Sequence, residues 1–237
     1  MPIATDFNEQ LSGLSDPADI WAATCRFYES FGFDGLIYLD VDGVHTDMRT
    51  TLPDWWLSHY HEENYQEIDP FVGMCCATYG SIKTGAAYVE RYDELSTEQR
   101  KLVLEAGETG FVAGFSSTFR LANPGGAGGW NILSSAGARE VGGIFEEHGE
   151  SLLLASFFAR QALAANVSYL DRDILSKREA ECLQWLASGL RTQQIADKMS
   201  LQPVTIEFHI RNARRKLGAA TREQALAIAI SNSLVCL

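Results

Sequence analysis

From residue 176 onward, apolar positions recur at helical spacing in four short runs, each opened by a capping signal. Ser176-Lys-Arg-Glu179 is a capping box: the serine bonds the amide of Glu179 while the glutamate reaches back. The helix it opens carries Cys182, Leu183 and Leu186 inward and stops at Gly189. Thr192 is placed to cap a second short helix, 193–198, with Ile195, Ala196 and Met199 apolar. Leu201-Gln202 makes a turn, and Pro203 suits the first turn of a third helix. Thr221-Arg-Glu-Gln224, a second capping box, opens a last helix through Ala225, Ile228, Ala229 and Ser231. Four capped helices in this order form a helix-turn-helix unit with flanking supports.

The preceding residues mix two periods. A helix is expected over 17–30, capped by Ser15 or Asp16, and a strand over 35–41 with the turn signal Asp42-Gly43 behind it. An aromatic helix follows over 53–65, with Trp55, Trp56, Tyr60 and Tyr65, then an amphipathic helix over 96–109 ending at Gly110. Strands are expected over 114–121 and 129–135, parted by a glycine-rich loop over 123–129. A long apolar helix covers 145–166. Helices interleaved with a few mostly antiparallel strands predict an α+β fold, a sheet covered by helices. Without a Gly/Pro-rich linker, the change of pattern places the domain boundary near 169–174. One domain then spans 1–168 and a second 169–237.

Charge sharpens that division. The chain of 237 residues carries a net charge of −12, but unevenly. Residues 1–170 hold 9 Lys/Arg against 24 Asp/Glu, and residues 171–237 hold 10 against 7. An acidic body with a basic end suggests nucleic-acid contact at that end. No stretch approaches the roughly 20 apolar residues of a membrane span, and the N-terminus lacks the basic and apolar regions of a signal peptide. A cytoplasmic protein with no membrane partner is therefore expected. The five cysteines, an odd number without CxxC spacing, suggest neither a disulfide framework nor a zinc site.

The third C-terminal helix carries the candidate chemistry. At about 100° per residue, Ile206, Ile210, Ala213 and Leu217 share an inward face. The opposite face presents Val204, Glu207, Phe208, Arg211 and Arg215, with Asn212 beside it. Arg211, Arg214, Arg215 and Lys216 concentrate positive charge suited to phosphates. Periodicity alone fits an ordinary amphipathic helix with a solvated basic face equally well.

Residues 175–235 resemble the C-terminal domain of LuxR-type regulators. The matching positions are Leu175, Arg178, Glu179, Leu183, Trp185, Ala187, Gly189, Thr192, Ile195-Ala196, Thr205-Ile206, His209, Asn212, Lys216-Leu217, Arg222 and Ala225. The resemblance implies that the third helix enters the major groove of double-stranded DNA and that the last helix contributes to a homodimer. It maps the base-facing positions onto Glu207, Phe208 and Arg211, with Thr205, His209, Asn212 and Arg215 around them. A basic residue is common in the family where this chain has Glu207. A glutamate there can accept from the N4 amino group of cytosine, and Arg211 can donate to guanine O6 and N7.

The first domain also resembles that family, whose quorum-sensing members hold an acyl-homoserine lactone in an α-β-α sandwich. Trp56-Leu-Ser-His-Tyr60, followed nine residues later by Asp69-Pro70, matches the pocket signature, and Gly110-Phe-Val-Ala-Gly114 its turn into a strand. The resemblance implies that Trp56 donates to the lactone carbonyl, Asp69 accepts the ligand's amide N–H, and Tyr60 walls the acyl chain. Ser135 aligns with a position that often supplies a hydroxyl. Two departures stand out: Thr84 takes the place of a second tryptophan, and Leu52 that of a tyrosine. Taken singly, Trp56 and Tyr60 also read as core residues and Asp69 as a turn residue.

Other classes fit poorly. There is no G-x-S-x-G elbow, phosphate-cradling loop or HExxH motif, and the five histidines are scattered. A phosphorylated receiver would need more than Asp40 and Asp42, because Lys83 and Lys101 do not follow suitable strands. The expectation is therefore a non-enzymatic, ligand-responsive transcription regulator with no cofactor. It would bind an acyl-homoserine lactone as autoinducer and act as a homodimer on a two-fold-symmetric operator. A regulator answering a different small molecule, or none, is the alternative.

Overall fold

Asp16 accepts a hydrogen bond from the amide of Ala18 at 2.7 Å, and Pro17 then begins a helix, as its fixed φ favours. The computed structural model describes residues 2–41, 46–123, 126–166, 174–231 and 234–235. They fall into two compact units, 2–166 and 174–235. The turn expected at 42–43, the boundary segment 169–173 and Cys236 lie outside the described residues.

In chain order the first unit contains α1 (Pro2–Ser12), α2 (Pro17–Glu29), β1 (Gly35–Val41), β2 (Thr46–Thr50), α3 (Asp54–Glu62), α4 (Pro70–Cys75) and β3 (Lys83–Thr84). It continues with α5 (Thr97–Gly107), β4 (Ala113–Asn123), β5 (Gly126–Ser134) and α6 (Ala138–Asn166). The strands form one sheet in the order β2-β1-β5-β4-β3, antiparallel throughout. Residues opposite one another in such a sheet share a face. Leu36 pairs with Ile132 and Tyr38 with Trp130, and all four pack with Phe115 against α1, α2 and α6. Across the helices Tyr28 Oη donates to the carbonyl of Leu152 at 2.9 Å.

Alternate residues look the other way. Ile37 pairs with Asn131, Leu39 with both Gly129 and Met48, and Gly114 with Leu133 and Thr84. This face looks toward Trp56 of α3 and the α5 residues Leu102 and Val103, which cluster with Tyr65 and Val89. Ser96 opens α5 with a complete capping box to Gln99.

The expected loop over 123–129 is shorter than its glycines suggested. Gly126–Gly129 belong to β5, with Gly128 opposite Asp40 and Arg120 and a register shift across the hairpin. Glycine is needed because a Cβ at Gly128 would come 2.4 Å from the Phe119 ring. Asp40 ties the region together, accepting from Arg120 Nε at 3.0 Å and Arg160 Nη2 at 3.3 Å. The aromatic helix stops at Glu62 rather than Tyr65, because Asn64 is left-handed at φ 56° and Tyr65 starts a 3-10 turn. The long helix begins seven residues earlier than expected, at Ala138. The patterns did not predict α1, α4, β2 or β3.

The second unit contains α7 (Lys177–Ala187), α8 (Thr192–Met199), α9 (Pro203–Lys216) and α10 (Arg222–Ser231). The Ser176 box forms as expected, with Ser176 N to Glu179 Oε2 at 2.7 Å and Glu179 N to Ser176 Oγ at 3.3 Å. Glu179 is buried, and its Oε2 also accepts from Lys216 Nζ at 2.7 Å, fastening the start of α7 to the end of α9. Burial opposes the charge on Glu179, but these bonds hold its pKa below the usual carboxylate value. Ser200, left-handed at φ 54°, ends α8. Cys182, Ile195, Ala196, Met199, Ile206 and Ile210 close one core. Leu175, Leu183, Ala213 and Ala229 close another. Thr192 is not the cap of α8: Arg191 holds that place, and the Thr192 hydroxyl is spent on another helix. Among the described residues no helix is long and apolar enough to cross a membrane.

Candidate functional site

Between the sheet and α3, α4 and α5 lies a cavity of about 380 Å³, within the range of small-molecule sites. Its walls are mostly apolar: Ile37 and Leu39 of β1, Leu133 of β5, and Leu102 and Val103 of α5. Trp56, Tyr60 and Asp69, which are separated in sequence, all line it. Trp56 is buried on α3 with Tyr60 one turn on, their rings 6.3 Å apart.

Asp69 is the cap of α4. Its Oδ1 accepts from the amide of Phe71 at 2.8 Å and its Oδ2 from Tyr60 Oη at 3.0 Å. Burial pushes the Asp69 carboxyl above its usual value, and the Phe71 and Tyr60 bonds only partly offset this. The Tyr60 phenol is driven far up, by burial first and then by the charge on Asp69. The phenol therefore stays a donor to the carboxylate.

Thr84 does not line the cavity. It is fully buried on β3, and its hydroxyl donates to Asn131 Oδ1 at 2.6 Å. Asn131 does line the cavity. Ser135 lies outside it: β5 ends at Ser134, and Ser135 is exposed, its hydroxyl donating to Asp34 Oδ2 at 2.9 Å. The polar group that β5 offers to the cavity is Asn131, four residues earlier. Alternation carried its signal, since a polar residue stands between the core-facing Trp130 and Ile132. Met48, on the unpredicted β2, and Leu52 also line the cavity. So do Cys75 and Cys76, but burial pushes the Cys75 thiol up to about 12, which leaves it an inert apolar wall.

In the second unit, α9 turns Ile206, Ile210 and Ala213 inward, as the helical wheel predicts. Glu207, Phe208, Arg211 and Arg215 are exposed, and Thr205, His209 and Asn212 are half-buried beside them. Val204 is 74% exposed and Phe208 49%, so two large apolar side chains stand in solvent on this face. The Arg211 guanidinium lies 5.5 Å from the Phe208 ring centroid, held over an aromatic face. Glu207 Oε1 accepts from the Thr192 hydroxyl at 2.6 Å, which joins α8 to α9 and fixes the carboxylate's direction. Arg214, counted with the basic cluster from sequence, instead donates to the carbonyl of Ala220.

Comparison with known proteins agrees on both units. Residues 16–163 match the model of the autoinducer binding domain, and residues 173–229 that of bacterial regulatory proteins of the luxR family. The HTH-type quorum-sensing regulator RhlR of Pseudomonas aeruginosa is 26% identical, over 95% of this chain and 93% of its own length. The transcriptional activator protein TraR of Agrobacterium vitis is 25% identical, over 94% and 91% respectively. These relatives are regulators of transcription, not enzymes. Among solved structures, SdiA of Escherichia coli superposes with a TM-score of 0.79 at 21% identity, covering 98% of this chain and 97% of SdiA. That likeness supports the fold: a helix-covered antiparallel sheet followed by a helical unit. The chain therefore belongs to the LuxR family of bacterial transcription regulators, with an autoinducer-binding domain followed by a helix-turn-helix domain.

Proposed function

We propose that this regulator senses an acyl-homoserine lactone in the cavity of its first domain. Ligand binding would stabilise a homodimer that docks on a two-fold-symmetric operator in the cytoplasm. The carrying observation is the convergence of Trp56, Tyr60 and Asp69 on one mostly apolar cavity. Trp56 supplies an N–H for a lactone carbonyl. Asp69, oriented by Phe71 and Tyr60, supplies an acceptor for an amide N–H. The apolar walls take the acyl chain. We place the domain boundary at 168/169.

On the DNA side, α9 enters the major groove. Arg211 reads guanine, and the carboxylate oxygen of Glu207 left free by Thr192 reads cytosine N4. Phe208 contacts a thymine methyl, Arg215 lies toward the phosphates, and Thr205, His209 and Asn212 flank the reading face. Two such helices in a dimer would meet half-sites about 34–36 Å apart.

One observation favours a second ligand class. SdiA, similar in fold, has been solved in complex with octanoyl-rac-glycerol, an acyl ester with neither lactone nor amide. The test is mass spectrometry of organic extracts from protein produced with and without long-chain acyl-homoserine lactones, alongside soluble yield. A stoichiometric lactone with raised yield is expected. An acyl glycerol recovered from both preparations supports the second class. Equal yields with nothing bound would remove the sensing role and leave the DNA-binding unit standing.

A further inference from the structure

Trp56, Tyr60 and Asp69 lie on one stretch of chain, and α5 grips that stretch at two points. Gln99 Nε2 donates to the carbonyl of Ile68 at 3.1 Å. Further along α5, Glu105 Oε2 accepts from Tyr65 Oη at 2.5 Å and from His59 Nε2 at 3.1 Å, and Lys101 Nζ stands 3.4 Å from Glu105 Oε1. None of Glu105, Tyr65 and His59 borders the cavity. They form a layer behind the residues that do. The Tyr65 ring lies against Trp56 and Tyr60, with centroids 6.3 and 6.0 Å away, and the His59 ring lies 5.7 Å from Trp56. The carbonyl of Tyr65 also accepts from the amide of Asp69 at 2.8 Å. Through Tyr65, one carboxylate on α5 therefore reaches all three side chains.

We propose that Glu105 is a positioning residue for the ligand's polar end. By gripping Tyr65 and His59 from α5, it fixes where the Trp56 N–H and the Asp69 carboxylate stand, and so sets how sharply the pocket distinguishes a lactone from the same chain without one. The inference rests on the acyl-lactone reading above and adds how its polar contacts are held. An ionised carboxylate only accepts, and hydrogen bonds to a charged group are the stronger and more directional kind. Glu105 is kept ionised: the bond from Tyr65, and after it that from His59, hold its pKa below the usual carboxylate value. A ligand hydrogen bond weakens steeply with angle and distance, whereas burial of an acyl chain is non-directional. A small shift of α3 thus removes the discrimination between polar ends while leaving the chain's contribution in place. Glu105 touches no ligand and acts only through Tyr65 and His59.

The test uses the full chain and three probes: N-dodecanoyl-homoserine lactone, N-decanoyl-homoserine lactone and N-dodecanoyl-cyclopentylamine. The last keeps the ring size and the amide but lacks the lactone carbonyl. Affinities are read by tryptophan fluorescence titration. In the wild type, the dodecanoyl lactone is expected to bind at least about tenfold tighter than the cyclopentylamide. Glu105→Leu and Tyr65→Phe are each expected to shrink that ratio below about threefold, and the double variant to shrink it no further. Glu105→Gln, which still offers Tyr65 an oxygen, is expected to keep most of it. The ratio between the two lactones, which reports the apolar walls, is expected to stay at its wild-type value in every variant. If Glu105→Leu does not fold, Tyr65→Phe and Glu105→Gln carry the test. Variants that keep the wild-type preference for the lactone overturn the Glu105 inference alone. So do variants in which both ratios fall together, because the grip would then be merely structural. If the wild type binds no probe, or binds the lactone no tighter than the cyclopentylamide, the acyl-lactone reading falls and this inference falls with it.

Discussion

The two faces of the sheet share the same strands and are packed in opposite ways. Toward α1, α2 and α6 the strands present Leu36, Tyr38, Phe115, Trp130 and Ile132, and those side chains meet the helices in a filled core. One residue along each strand, the other face presents Gly114, Gly129, Asn131 and Thr84, and there the cavity opens. Period-two alternation thus assigns bulk to one side and small or polar groups to the other. The filled side builds a platform, and the sparse side leaves space on it. Packing in protein interiors is close to that of crystals, so a hole of about 380 Å³ is an expense that a ligand would offset.

That contrast is most exposed to truncation. Phe115, 2% exposed, packs against Phe33 and Phe145 with ring centroids 5.2 and 4.7 Å away. Phe115→Ala is expected to cost about 3–5 kcal/mol. Leu133, in the same sheet but bordering the cavity, already lacks partners on one side, so Leu133→Ala should cost roughly 2 kcal/mol. Denaturant unfolding of the ligand-free chain measures both, and equal losses would break the distinction between the faces.

Enlargement sharpens the comparison because the sign should change. Ala155 is fully buried in α6 on the filled side, and Ala155→Leu is expected to destabilise by about 1–3 kcal/mol through overpacking. Ala106 of α5 lines the cavity, and Ala106→Leu is expected to stabilise the ligand-free protein by about 1 kcal/mol while weakening ligand binding. Melting curves with and without ligand test this. If Ala106→Leu destabilises the free protein, the space is less accommodating than its volume implies.

Sequence revealed these regions unequally, for physical reasons. Caps are local, so the Ser176 and Thr221 signals located their helices directly; Gln224 N reaches Thr221 Oγ1 at 3.0 Å, although the Gln224 side chain accepts from the amide of Ala220 rather than closing the expected box. Competition among donors is not local: Thr192 looked like a cap, yet its hydroxyl meets Glu207, fifteen residues away. Trp56, Tyr60 and Asp69 were recognisable only as a spaced set resembling a family, because each alone fits a core or a turn. The cavity itself could not be read, since it is bounded by side chains as distant as Leu39, Met48 and Leu133. Ser135 illustrates the penalty of an uncertain strand end. Once β5 stops at Ser134, the next hydroxyl turns to Asp34, and the polar side chain that the strand turns to the cavity is Asn131.

The smallest effect concerns how the sparse face tolerates a charge. Asp69 is held above its usual pKa, by burial first, so the folded chain binds its proton more tightly than the unfolded chain does. For a carboxyl raised in this way, the favourable contribution is complete below the unfolded value and is lost as pH rises through the folded value. Asp69→Asn removes the titration and keeps the cap, since asparagine accepts equally well at that position. Its amide can also meet the Tyr60 oxygen that now faces the carboxylate. The variant should therefore lie within about 1 kcal/mol of wild type in acid and gain on it as pH rises toward neutrality. Melting followed by tryptophan fluorescence suits the measurement, because Trp21, Trp55, Trp56 and Trp130 all lie in the first unit. A variant that instead loses ground as pH rises would mean that the Phe71 and Tyr60 bonds outweigh burial. Asp69 would then be a stabilised anion, and the cavity floor would be far more polar than its apolar walls suggest.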